Sequence, residues 1–116
     1  MKNKLQYSIV YAVIRPEIAE QLSVGIICKD GDKAVFKYSR KKMELLKSIY
    51  TPKEYEFYSK VIYSMGRIPL ESAEQIGYLT RYSNNMLAVS NWKIVDAPSS
   101  PQAMDQLYQK YVYQPN

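Results

Sequence analysis

The stretch from Leu5 to Ser39, LQYSIVYAVIRPEIAEQLSVGIICKDGDKAVFKYS, decides the fold. Leu5 to Ile14 is nearly continuous in Ile, Val, Tyr and Ala. That is the pattern of a strand covered on both faces, or on one face plus an edge, and therefore of a central strand. Pro16 has no N–H to give a ladder and biases Arg15 towards extended geometry, so the strand ends at Arg15-Pro16-Glu17. Glu17 to Gln21 then makes a single helical turn or a wide loop, and the chain re-enters the sheet at Leu22. Leu22 to Lys29 and Lys33 to Ser39 flank Asp30-Gly31-Asp32, whose glycine supplies the positive φ of a tight hairpin turn. Ala34, Phe36 and Tyr38 alternate with Val35, Lys37 and Ser39, which turns one side of that strand to water. Three antiparallel strands are expected.

Beyond Ser39 the period lengthens. Met43, Leu45, Leu46, Ile49 and Tyr50 recur at helical spacing behind Ser39, a residue suited to the N-cap. Arg40, Lys41 and Lys42 fill the first turn, where positive charge opposes the helix dipole. This departure points to an anion or partner near Arg40 to Lys42; the plainer reading is that packing overrides a small penalty. Thr51-Pro52-Lys53-Glu54 reads as a capping box with proline at the first helical position. The helix behind it runs to about Met65, turns Tyr55, Tyr58, Val61, Ile62 and Met65 inward, and stops at Gly66. Leu70 to Tyr82 reads as another helix, ended by Ser83-Asn84-Asn85. Met86 to Val89 and Trp92 to Val95 read as one or two short strands, with a hairpin as one arrangement. Ser100 and Pro101 open a last helix with Met104, Leu107, Tyr108 and Tyr111 on one face. The expected architecture is a single α+β domain over residues 1–116, an antiparallel sheet of three N-terminal strands plus one or two later ones, with helices packed on one face.

Composition narrows the chemistry. The chain of 116 residues has no histidine and a single cysteine, Cys28, so neither an internal disulfide nor a Cys/His zinc site can form, and histidine acid–base catalysis is excluded. Gly25, Gly31, Gly66 and Gly77 stand alone, so no phosphate-cradling glycine loop is present. Asp30 and Asp32 read as a hairpin tip in preference to a metal site, and no cofactor is expected. Cys28 lies in an apolar strand and reads as an inert core thiol. Met1-Lys-Asn-Lys4 leads into a run too polar for a signal peptide and no segment reaches the length of a membrane span, so a reduced, cytoplasmic location without membrane attachment is the default expectation. Of the 16 basic residues, nine lie between Lys29 and Lys60 against five acidic ones, concentrating the net charge of +5 in the middle third. Such a patch serves either solubility or the attraction of nucleic acid or an acidic protein. Twelve tyrosines against two phenylalanines suit wet core edges and also stacking platforms. Tyr7, Tyr11 and Tyr38, beside Lys37, are the candidates for a functional sheet surface.

Arg15, Pro16, Glu20, Val24 and Gly25 also resemble the opening of the domain-of-unknown-function family numbered 3037. Members of that family begin with a tyrosine-containing strand ending in arginine, a proline-bearing turn and an acidic residue before an Asn-Val-Gly-Val-like strand. Ser23 stands here in place of the family's asparagine, and Leu22 in place of its usual phenylalanine. The resemblance implies a small bacterial protein without an established activity, often encoded beside kinase-like proteins of the HipA type. Physically, Arg15 and Glu20 flank the strand interruption as an ion pair that pins the loop or, with Glu17, as the lining of a groove. The leading expectation is a non-catalytic interaction or accessory module acting on another bacterial protein, or on a second copy of itself. The alternative is nucleic-acid binding through Arg40, Lys41, Lys42 and the tyrosine-rich surface. An enzyme using Arg15, Glu17 or Glu20 has the least support.

Overall fold

A computed structural model describes residues 4–30, 33–65, 86–98 and 100–113. Its elements in chain order are β1 (Lys4–Arg15), a three-residue 3-10 turn (Pro16–Ile18), β2 (Glu20–Asp30), β3 (Lys33–Tyr38), α1 (Arg40–Ile49), α2 (Pro52–Met65), β4 (Leu87–Val89), β5 (Lys93–Pro98) and α3 (Pro101–Tyr111). The expected helix from Leu70 to Tyr82, its neighbours Gly66 and Ser83 to Asn85, and the hairpin tip at Gly31 and Asp32 lie outside the described residues.

All strands are antiparallel, in the order β3-β2-β1-β4 with β5 also on β1, so the fold is α+β as expected. The apolar run of β1 is the central strand, paired along one side with β2 and along the other with β4 and β5. β4 and β5 do not form a hairpin with each other. Leu87 opposes Ala12 and Val89 opposes Val10, after which Lys93 opposes Tyr7 and Val95 opposes Leu5. They are two halves of one edge strand, broken at Ser90. That residue is tied to β1 by its own N–H to the Ile9 carbonyl (2.9 Å), by the Ile9 N–H to its Oγ (2.8 Å) and by the Ser8 hydroxyl to its carbonyl (2.6 Å).

The turn at the interruption is tighter than the sequence suggests. Only Pro16–Ile18 is helical, and Ala19 (φ 55°, ψ 30°) reverses the chain so that β2 starts at Glu20, opposite Arg15, and not at Leu22. A second irregularity leaves Val24 without a partner on β1, between Gly25 opposite Val10 and Ser23 opposite Tyr11. The Val24 carbonyl instead accepts from the Ser39 N–H at 2.8 Å, at the point where β3 ends and α1 begins. Gly25 beside it has no room for a side chain, since a Cβ would lie 2.7 Å from the Lys37 carbonyl oxygen and 2.8 Å from the Phe36 ring.

The helices do not all pack on one face. Val10 and Ala12 of β1, with Val24 and Ile27, meet Met43, Leu46 and Tyr50 of the α1 segment and Tyr58, Val61, Ile62 and Met65 of α2. Leu5, Tyr7, Ile9, Ile26 and Cys28 point the other way, under Met104, Leu107, Tyr108 and Tyr111 of α3 and under Val112. The reason is already in β1: odd and even positions are both apolar, and a sheet with two apolar faces needs cover on each. The start signals act as read. Ser39 Oγ accepts from the Lys42 N–H (3.2 Å), Ser100 Oγ from the Ala103 N–H (3.1 Å), and Thr51 and Glu54 close a reciprocal capping box (2.9 and 3.2 Å). The inward face of α1 is narrower than expected: Met43, Leu46 and Tyr50 are buried, whereas Leu45 and Ile49 are exposed.

Candidate functional site

The charged residues of the interruption, Arg15, Glu17 and Glu20, are all exposed. Arg15 and Glu20 are opposed in register but both exposed, and among the described residues no ion pair joins them. An apolar groove of about 430 Å³ does open beside the turn, between Val13, Ile14 and Pro16 on one side and Ile49, Glu54 and Met86 on the other. Arg15, Glu17 and Glu20 are not on its wall. Two of its side chains are engaged within the fold: the Tyr50 hydroxyl donates to the Val13 carbonyl, and Glu54 accepts from Thr51 N–H.

The basic first turn of α1 divides two ways. Lys42 folds inward and is half-buried; its Nζ donates to Ser23 Oγ at 2.9 Å, and the Ser23 hydroxyl donates in turn to the Tyr111 carbonyl at 2.9 Å. Burial pushes the Lys42 ammonium below its ordinary range. The spacing is that of a serine–lysine nucleophile pair, yet the hydroxyl proton is held by a peptide carbonyl. The arrangement is a latch that satisfies an orphan carbonyl at the end of α3 and ties it to β2 and α1. Lys41 is exposed. Arg40 is exposed too, and among the described residues no acidic side chain pairs with either.

Arg40 stands on the ridge between two clefts that flank β3. The first, about 550 Å³, lies between β3 and α3 and is lined by Phe36, Lys37, Tyr38, Arg40, Asp105 and Tyr108. The second, about 410 Å³, lies between β3, α1 and α2 and is lined by Tyr38, Arg40, Glu44, Lys47, Tyr55 and Tyr63. Aromatic rings give both clefts firm walls: Phe36 stacks on Tyr38 (5.8 Å between centroids), and Tyr38 meets Tyr63 at 5.9 Å. Lys37 is neutralised by an ion pair with Asp105, and the Lys47 ammonium lies 5.5 Å from the Tyr55 ring centre. Between the clefts runs the outer edge of β3, which no strand among the described residues covers.

The three sheet tyrosines do not share one open face. Tyr7 is buried and stacked on Tyr111 at 5.3 Å, beneath α3; the interaction with the Tyr111 hydroxyl, and then burial, raises its pKa to about 12. Tyr11 faces the same covered side, while Tyr38 faces the opposite core. Cys28 is buried, and burial pushes its thiol up to about 11, which disfavours the reactive thiolate. Among the described residues, no group of three Cys, Asp or Glu side chains is placed to hold a metal, and no helix is long and apolar enough to cross a membrane. Arg40 is one of three consecutive cations that stand out in the sequence, whereas Asp105, Tyr55 and Tyr63, which share its clefts, come from α2 and α3 and carry no local signal of that proximity. The one local signal was the outward position of Lys37 in the β3 alternation. Comparison of the chain with protein-family models, curated proteins and solved structures gave no match.

Proposed function

We propose that the chain is a non-catalytic protein-interaction module that receives an extended segment of another bacterial protein along the outer edge of β3. The contrast between its two sheet edges carries this reading. The β4/β5 edge is broken at Ser90 and ends at Pro98, devices that discourage pairing. β3 is six residues long, pairs with β2 in regular register without a bulge, contains no proline, and has Val35 exposed. An edge that no strand among the described residues covers leaves alternate N–H and C=O groups to be satisfied by a second chain. The resemblance to family 3037 nominates the partner class, a kinase-like protein of the HipA type, and the lone reduced thiol of Cys28 suits the cytoplasm.

Capture from a host lysate by tagged wild-type protein, Val35→Glu and Ile94→Glu tests it, since the two substitutions place the same charge on opposite edges. A protein retained by the wild type and Ile94→Glu but lost with Val35→Glu is the expected result. Equal retention by both variants would retire the β3 edge as the docking site. Nucleic-acid binding is kept as a second reading because Arg40 and Lys41 are exposed without acidic partners among the described residues. It requires affinity for a single-stranded oligonucleotide that falls steeply with salt and is lost when Arg40 and Lys41 are changed to Ala.

A further inference from the structure

Resting on the reading that β3 is a docking edge, we infer that the segment it accepts is acidic and that Arg40 selects it. An added strand sends alternate side chains to opposite faces, because the side-chain period of a strand is two. On β3 one set of these side chains meets the cleft against α3 and the other the cleft against α1 and α2. Both clefts share Arg40 and Tyr38, so Arg40 is within reach of side chains on either face of the incoming strand.

The charged side chains that line the two clefts leave a positive surplus. Lys37 and Asp105 cancel each other in their ion pair. That leaves Glu44 against Arg40 and Lys47, with Lys41 exposed next to Arg40. A guanidinium that no carboxylate among the described residues pairs with, at the rim of two tyrosine-walled clefts, suits a carboxylate held in a two-pronged hydrogen bond. The tyrosines add apolar walls for the stems or rings between the acidic positions. A second copy of this chain is the poorer occupant, because its own β3 edge would bring the same surplus against itself, and the whole chain carries +5.

The test uses the intact protein and a random peptide library displayed on phage. Selected peptides are expected to be rich in Asp and Glu at alternate positions and to slow hydrogen exchange in β3. Their affinity should fall about tenfold or more with Arg40→Glu and stay unchanged with Lys53→Glu, which alters net charge equally at an exposed position outside both clefts. Peptides that protect β3 yet are neutral or basic and ignore Arg40→Glu would overturn the acidic assignment while leaving the docking edge in place. Protection elsewhere, or no selected peptide, would overturn both. Binding of a single-stranded oligonucleotide in preference to any peptide, weakened by Arg40→Glu, would overturn the peptide assignment in favour of nucleic acid.

Discussion

Ala19 is the one described non-glycine residue with positive φ, and it carries the reversal between β1 and β2. Its N–H is fixed to the Pro16 carbonyl at 3.2 Å, so the strained conformation is held by the turn itself. A left-handed conformation costs an L-residue roughly 1–2 kcal/mol, while glycine's extra freedom in the unfolded chain returns about half of that. Ala19→Gly is therefore expected to stabilise the protein by roughly 0.5–1 kcal/mol, read as a higher urea midpoint at unchanged slope. An unchanged or lower midpoint would mean that the turn does not hold Ala19 in this conformation. The interruption that dominates the sequence is thus a turn device; its exposed charges, Arg15, Glu17 and Glu20, stay apart. A proline after a strand announces that the chain turns, but the left-handed residue that sets where β2 begins is an ordinary alanine with no local signal.

At the scale of elements, Ser23 joins three of them: it accepts from Lys42 of α1, donates to the last turn of α3, and sits on β2. Net hydrogen bonds of this type contribute about 1 kcal/mol each. Ser23→Ala is expected to cost roughly 1–2 kcal/mol in urea unfolding and to speed amide exchange in α3 more than in α2, since α2 is held by buried Tyr58, Val61, Ile62 and Met65. Uniform acceleration across all helices would show that Ser23 is not a local tie. The caps of α1, α2 and α3 were legible because an N-cap is a local pattern of Ser or Thr, proline and glutamate. The direction in which Lys42 turns was not: three consecutive cations look alike until packing buries one stem and leaves two heads in water. The face that α3 covers was equally hidden, since a helix's amphipathic stripe names an inward side without naming which side of the sheet receives it. β1 held the answer in another form, apolar at both odd and even positions.

At the scale of the molecule, the two-sided core buries phenols and a thiol that titrate only when the fold opens. Tyr50 is raised to about 12 by burial and then by Glu54, Cys28 to about 11 by burial, and Tyr58, whose hydroxyl donates to the Tyr11 carbonyl at 3.1 Å, is raised further, again mainly by burial. Tyr7 is held up to about 12 by its interaction with Tyr111 and then by burial, while the same interaction holds Tyr111 down. For each raised group the folded state keeps a proton that the unfolded chain releases. The stabilising contribution is complete below the unfolded value, near pH 9 to 10, and is lost as pH climbs towards the folded value, by up to about 1.4 kcal/mol per pH unit per group. Lys42 has the opposite sign, because a lowered value makes stability rise with pH up to the ordinary lysine range, but the raised groups outnumber it. Urea midpoints are therefore expected to hold up to about pH 9 and to fall steeply between about pH 10 and 12. Tyr58→Phe removes the most strongly shifted phenol and should flatten that fall, at the expense of one hydrogen bond at neutral pH. Parallel wild-type and Tyr58→Phe curves through the alkaline range would mean that the Tyr58 hydroxyl is open to water, and that the α2 face of the sheet is looser than its packing indicates.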